Sequence, residues 1–170
     1  VTNGSELKAH THSILITSHS KDLGLAGERI GYIALHPEVP DRALWQEALV
    51  FTNRILGFVN APALMQRALP HLRGVQVDIG FYQQLRDQVC SLMEEVGISC
   101  VRPQGAFYLF PQALEEDDVA FVRRAQEEKL LLVPGSGFGG PGCFRLSYCC
   151  PGSVIENSRE AWQRLVESYQ

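Results

Sequence analysis

The stretch Ser18-His19-Ser20-Lys21-Asp22-Leu23-Gly24-Leu25-Ala26-Gly27-Glu28-Arg29-Ile30-Gly31 decides how this chain reads. Short apolar runs flank it. Residues 13–17, Ser-Ile-Leu-Ile-Thr, predict a buried strand, and residues 30–35 predict a second. Lys21 therefore falls where a strand meets a glycine-rich loop. Burying an ammonium is costly without a partner, so a lysine in that place calls for a reason. The chain has three lysines, and the other two keep polar company: Lys8 near Glu6, and Lys129 after Glu127 and Glu128.

A Schiff-base lysine needs this placement. It must be held rigidly, and it must lose its proton readily to attack an aldehyde. Ser18 and Ser20 offer hydrogen bonds, and Arg29 adds fixed charge with paired donors, which suits a phosphate. Gly24, Gly27 and Gly31 let backbone approach a ligand closely. An amine that can attack an aldehyde, beside groups that can hold a phosphate, is the donor set that pyridoxal 5'-phosphate (PLP) requires. The alternative makes Lys21 a surface residue and pairs Arg29 with Asp22 or Glu28.

Working outward, Asp41 predicts the start of a helix running to about residue 58, with Leu44, Trp45, Ala48, Leu49, Phe51, Ile55 and Leu56 at helical spacing. Asn60, with Pro62 just inside, opens a short helix that Pro70 and Gly74 stop. Asp78 caps a longer one with Ile79, Tyr82, Leu85, Val89, Leu92, Met93 and Val96 on one face. Residues 98–102 and 106–110 predict two strands around the turn Pro103-Gln104-Gly105. Asp117 caps a helix bearing Val119, Val122 and Ala125. Residues 130–133 and 144–149 predict strands. In the second of these, Arg145, Ser147 and Cys149 face away from Phe144, Leu146 and Tyr148. Ser153 and Glu156 fit a capping box for a last helix with Val154, Ile155, Ser158, Ala161, Trp162, Leu165, Val166 and Tyr169 on its inner stripe. The pattern is α/β early and α+β late, with a division near Val75.

Composition narrows the function. The chain has 170 residues, 45% hydrophobic and 20% charged, enough for one sizeable core. Its net charge of -4 and lack of a basic stripe argue against nucleic acid as a direct partner. Its apolar runs, such as residues 130–133, are too short to span a bilayer, so no membrane partner is expected. Residues 1–12 lack the pattern of a signal peptide. Five cysteines without a Cys-x-x-Cys pair predict reduced thiols in a cytoplasmic protein. His10, His12, His36 and His71 have no metal-ligand spacing, so no metal is expected. Residues 135–142 lack the Gly-Lys-Ser/Thr ending of a nucleotide loop and read as a plain turn.

The run from Ser18 to Gly31 resembles the PLP-attachment signature of class I/II aminotransferases, which have the aspartate aminotransferase fold, fold type I. His19 departs from it, where the family more often has an apolar or aromatic residue. Two later blocks occur in the family's order. Gly105-Ala106-Phe107-Tyr108-Leu109-Phe110-Pro111 resembles its small-domain strand. Val133-Pro134-Gly135-Ser136-Gly137-Phe138-Gly139 followed by Phe144-Arg145-Leu146-Ser147-Tyr148 resembles its last block.

The resemblance implies the C-terminal portion of such an enzyme. Residues 1–75 would be the last strands and helices of the large PLP-binding domain, and residues 76–170 the small α+β domain. It makes Lys21 the catalytic lysine, Ser18, Ser20, Lys21 and Arg29 the cofactor-binding set, and Arg145 the grip on the substrate α-carboxylate. It implies amino-group transfer between an amino acid and a 2-oxo acid, in a cytoplasmic homodimer with Asn60 to Ala63 as a cross-subunit loop. Family members are more than twice this length, and the rest of their cofactor pocket precedes this segment, so the chain alone is expected to be inactive. Two rivals stand beside this reading: a lyase or decarboxylase of the same fold, and a ligand-sensing domain of a transcription regulator.

Overall fold

The structure, a computed structural model, describes residues 10–58 and 60–170. Glu6 and Lys8 lie outside the described residues. The chain divides into two compact units, one ending at Val77 and the other spanning Asp78–Gln170.

In the first unit, strands β1 (Ile14–Ser18) and β2 (Gly31–Leu35) pair antiparallel, in register from Ile14↔Leu35 to Ser18↔Gly31. The one-turn helix α1 (His19–Asp22) follows β1 directly. Helices α2 (Arg42–Ile55) and α3 (Ala63–Ala68) come next, and a 3-10 turn covers Leu69–Leu72. Three expectations are corrected here. The first strand is not buried: Ile16 is 72% exposed, because β1 pairs only with β2 and α2 buries none of its residues. Asp41 precedes α2 without capping it. Its backbone is left-handed (φ 53) and its side chain makes no cap hydrogen bond. Pro62, and not Asn60, is the N-cap of α3.

The second unit holds the larger core. Helix α4 (Ile79–Glu95) starts where Asp78 accepts the Phe81 N–H at 3.0 Å. Leu85, Val89, Leu92 and Met93 recur at helical spacing and are all buried. Strands β3 (Tyr108–Leu109), β4 (Val133–Pro134) and β5 (Phe144–Ser147) form an antiparallel sheet in the order β3-β5-β4. Helix α5 (Asp118–Glu127) is capped by Asp117, which accepts the N–H groups of Val119 and Ala120. Helices α6 (Gly152–Asn157) and α7 (Arg159–Glu167) end the chain.

Helix endings account for one missing strand and one that starts late. Residues 98–102 form none. Gly97 turns left-handed (φ 79), and the Ile98 N–H closes α4 by donating to the Met93 carbonyl at 2.8 Å. Residues 130–132 stay outside the sheet for the same reason. Lys129 is left-handed (φ 63) and the Leu130 N–H donates to the Ala125 carbonyl at 2.9 Å. The Ser153 capping box does not form. Pro151 is the N-cap of α6, which places Ser153 inside the first turn. The last helix is also broken in two at Ser158, whose hydroxyl donates to the Ile155 carbonyl at 2.6 Å.

Aromatic rings fill the centre. Phe121 and Phe144 stack with centroids 4.9 Å apart, and Phe144 meets Trp162 at 5.9 Å. Ring pairs of this geometry add to the area they bury. Phe144 is fully buried between both partners, so Phe144→Ala should lose about 3–5 kcal/mol, read as a lower urea midpoint at unchanged slope.

Tyr169 gives a pH test. Burial, then its hydrogen bond to Glu115, pushes its hydroxyl up from 10.0 to about 12. The folded state therefore favours neutral Tyr169. That contribution is complete below pH 10.0 and disappears as pH rises towards about 12. Tyr169→Phe should flatten this part of the stability–pH curve in alkaline denaturation.

Candidate functional site

The lysine loop is built from its two ends. Ser18 ends β1 and caps α1: its Oγ accepts the Ser20 N–H at 3.3 Å and lies 2.9 Å from the Ser20 Oγ. At the far end the His19 N–H donates to the Ile30 carbonyl at 3.0 Å, and Gly31 pairs with Ser18. The β1–β2 ladder thus returns the loop to its origin and gathers Ser18, Ser20, Lys21 and Arg29 on one short segment. Lys21 is exposed, one residue from the end of α1.

Gly31 permits this closure. A Cβ there would lie 2.2 Å from the Thr17 carbonyl oxygen, far inside contact distance. Arg29 is held in the left-handed region (φ 51), and one of its guanidinium N–H groups donates to the Ala26 carbonyl at 3.0 Å. Neither Asp22 nor Glu28 forms an ion pair with Arg29 among the described residues. Asp22 accepts instead from the Leu23 N–H at 2.9 Å and lies 3.1 Å from His19 Nδ1. Strain of this kind costs about 1–3 kcal/mol and is a recurring property of functional positions.

Sequence reasoning missed three supports of the loop. The His19 ring sits against Tyr32 at 5.8 Å, so the residue that departs from the family pattern serves packing. The Val77 N–H donates to the Asp22 carbonyl at 2.9 Å, and Val77 Cγ1 fills the space beside Gly24. Only the pairing of distant segments reveals such contacts. The donor set itself fits PLP: an amine for a carbonyl carbon, with two hydroxyls and a guanidinium for a phosphate.

Arg145 belongs to the second unit. It lies on β5 opposite Val133 of β4, half-buried. Its guanidinium carbon sits over the Phe138 ring at 4.1 Å and over the Tyr108 ring at 4.7 Å. Tyr108 pairs with Ser147, two residues along β5, and so shares Arg145's face of the sheet. Among the described residues no carboxylate forms an ion pair with Arg145. An arginine held over aromatic rings keeps its planar fork for an incoming anion.

Burial pushes the thiols of Cys90, Cys100 and Cys150 up, which disfavours thiolate at neutral pH. Among the described residues no three His, Cys, Asp or Glu side chains converge on a metal-sized site, and no helix is long and apolar enough to cross a membrane.

Comparison with known proteins agrees across the whole chain. The model of the family "Aminotransferase class I and II" matches residues 2–165. The aspartate aminotransferase of Geobacillus stearothermophilus is 35% identical over 96% of this chain and 43% of its own length. That of Bacillus subtilis is 33% identical over 92% of this chain and 42% of its own. An aminotransferase crystal structure from Eubacterium rectale superposes with a TM-score of 0.83 at 39% identity, covering 96% of this chain and 41% of that one. The chain therefore spans less than half the length of these relatives, and it shares their fold type I architecture.

Gly31→Ala should break the loop closure. The Cβ would meet backbone, which cannot swing aside, at a cost of about 1–3 kcal/mol. Limited proteolysis should speed up within residues 19–30. Gly27→Ala is the control, since a Cβ there meets nothing within 4 Å and should leave the digestion rate unchanged.

Proposed function

Because the chain belongs to the aminotransferase class I and II family, we propose that it carries the cofactor lysine and the substrate arginine of a PLP-dependent transaminase that moves an amino group between an amino acid and a 2-oxo acid. The observation that carries this reading is the lysine loop: Ser18 caps the turn that holds Ser20 and Lys21, and the β1–β2 ladder pairs Ser18 with Gly31, two residues after Arg29. In this reading residues 1–75 end the large PLP-binding domain and residues 76–170 form the small one. A cytoplasmic homodimer is the corresponding state of the full-length protein.

PLP, when bound, supplies an electron sink for carbanion chemistry. Lys21 Nζ would hold the cofactor, and its amine would serve as the general base and acid that takes and returns the substrate α-proton. Ser18, Ser20 and Arg29 bind the phosphate through two hydroxyls and a fixed charge. Arg145 grips the substrate α-carboxylate, which presents the reacting C–H bond in a constant orientation. That carboxylate is common to all α-amino acids, so Arg145 sets the substrate class and leaves side-chain choice to other residues.

Two experiments on the full-length protein carrying this sequence test the proposal. Borohydride reduction in the presence of PLP should leave a pyridoxyl adduct on Lys21 by peptide mass mapping. Lys21→Ala should lose the adduct and at least about 10⁴-fold in kcat, the contribution expected of a general acid–base group, while keeping its melting temperature. An adduct elsewhere, or turnover in Lys21→Ala, would sink the assignment. Arg29→Gly separates binding from strain. It should weaken PLP binding by tenfold or more (about 1.4 kcal/mol), while the chain's own stability holds or rises, because glycine adopts positive φ without cost.

A further inference from the structure

We propose that Asp118 is a positioning residue for substrate binding: through Ser136 it fixes the turn Gly135–Phe138, and that turn holds Phe138 against Arg145. The inference rests on the reading of Arg145 as the carboxylate grip and extends it to a residue with no contact to substrate.

Two adjacent aspartates open α5 and divide the work. Asp117 is exposed and caps the helix through the N–H groups of Val119 and Ala120. Asp118 is therefore not needed as a cap. Yet it is only 4% exposed, and it is the buried charged side chain among the described residues. A carboxylate is retained in such a place only where strong hydrogen bonds offset its lost hydration. Its Oδ2 accepts the Ser136 N–H at 2.6 Å, a short charge-assisted bond that reaches 18 residues along the chain to the turn. The α5 N-terminus also favours its negative charge.

The turn is fixed at its base by backbone and in its middle by Asp118. The Gly135 N–H donates to the Cys143 carbonyl at 2.8 Å, and the Gly140 N–H donates to the Gly135 carbonyl at 3.0 Å. Gly135 is buried so tightly that a Cβ would lie 2.3 Å from the Gly140 oxygen. Between these anchors Ser136 is exposed, and its N–H has Asp118 as partner. Two residues later comes Phe138, whose ring lies 4.1 Å from the Arg145 guanidinium carbon although it is itself 51% exposed. An exposed ring on a short turn holds its position only if the turn does. Asp118 thus sets the ring, and the ring sets the direction of the guanidinium.

The test compares Asp118→Ala, Asp118→Asn, Phe138→Leu and Arg145→Gln in the full-length protein. Asp118→Ala and Phe138→Leu should raise KM for the amino acid about tenfold while kcat falls less than twofold, the pattern of lost ground-state binding. Asp118→Asn should recover most of the loss, because its amide oxygen still accepts from Ser136. A second readout needs neither cofactor nor substrate. The Arg145 Nε–H resonance, shifted by the ring current of Phe138, should move towards its ordinary position in Asp118→Ala and Phe138→Leu. Should Asp118→Ala not fold, Ser136→Pro, which removes the N–H that Asp118 accepts, carries both readouts and should show the same tenfold rise in KM and the same shift of the Arg145 resonance. Wild-type KM and an unmoved Arg145 resonance in Asp118→Ala would overturn the inference even where Arg145→Gln raises KM. An unchanged KM in Arg145→Gln would overturn the carboxylate grip, and the inference with it.

Discussion

Gly31 packs so tightly against the carbonyl of Thr17 that no side chain larger than hydrogen fits there. That contact brings the end of β2 onto the end of β1 and determines where the loop between them begins and ends. Ser18, Ser20 and Lys21 leave from one strand end, and Arg29 arrives at the other. Without the closure the four groups would be points on a flexible chain, and ordering them on a ligand would cost backbone entropy of about 1–2 kcal/mol per residue. With it, most of that cost is already met by folding. The left-handed backbone of Arg29 is part of the same arrangement, since the chain must turn sharply there to enter β2.

The two units differ in how they are held. The second has a dense centre in which Met93, Leu109, Phe121, Phe144 and Leu165 are fully buried, and Arg145 sits on the sheet over that centre. The first has a two-stranded ribbon, and ribbons of two strands are marginal without a covering layer. Several of its apolar side chains, among them Ile16, Phe51, Leu56 and Leu64, stay more than 60% exposed. The arginine is thus built into a rigid scaffold, whereas the lysine loop depends on local hydrogen bonds and on Val77.

Much of this was legible in one dimension. Local chemistry identified Asp78 and Asp117 as helix caps, because a short carboxylate reaches N–H groups only two or three residues ahead. Period-3.6 spacing found the buried face of α4, and alternation along residues 144–149 separated Arg145 from Phe144 and Tyr148. The errors share a cause. Asp41 and Ser153 have the residue types of caps, but backbone angles set elsewhere deny them the role. Residues 98–102 and 130–132 have strand composition, but each segment begins by closing a helix, through the Ile98 and Leu130 N–H groups.

The sequence by itself determined the family, through the resemblance its motifs carry, the residue types around Lys21, and the placement of Arg145 on a strand face away from Phe144 and Tyr148. These are properties of side chains within a few residues of one another, where the chain's own geometry fixes the relation. Tertiary structure alone decided that β1 is exposed, that His19 packs on Tyr32, that Val77 ties the lysine loop, and that Asp118 reaches Ser136 and, through that turn, Phe138 and Arg145. Each of those depends on two segments far apart in sequence meeting at hydrogen-bonding or van der Waals distance, and a linear pattern carries no record of which distant partner will arrive.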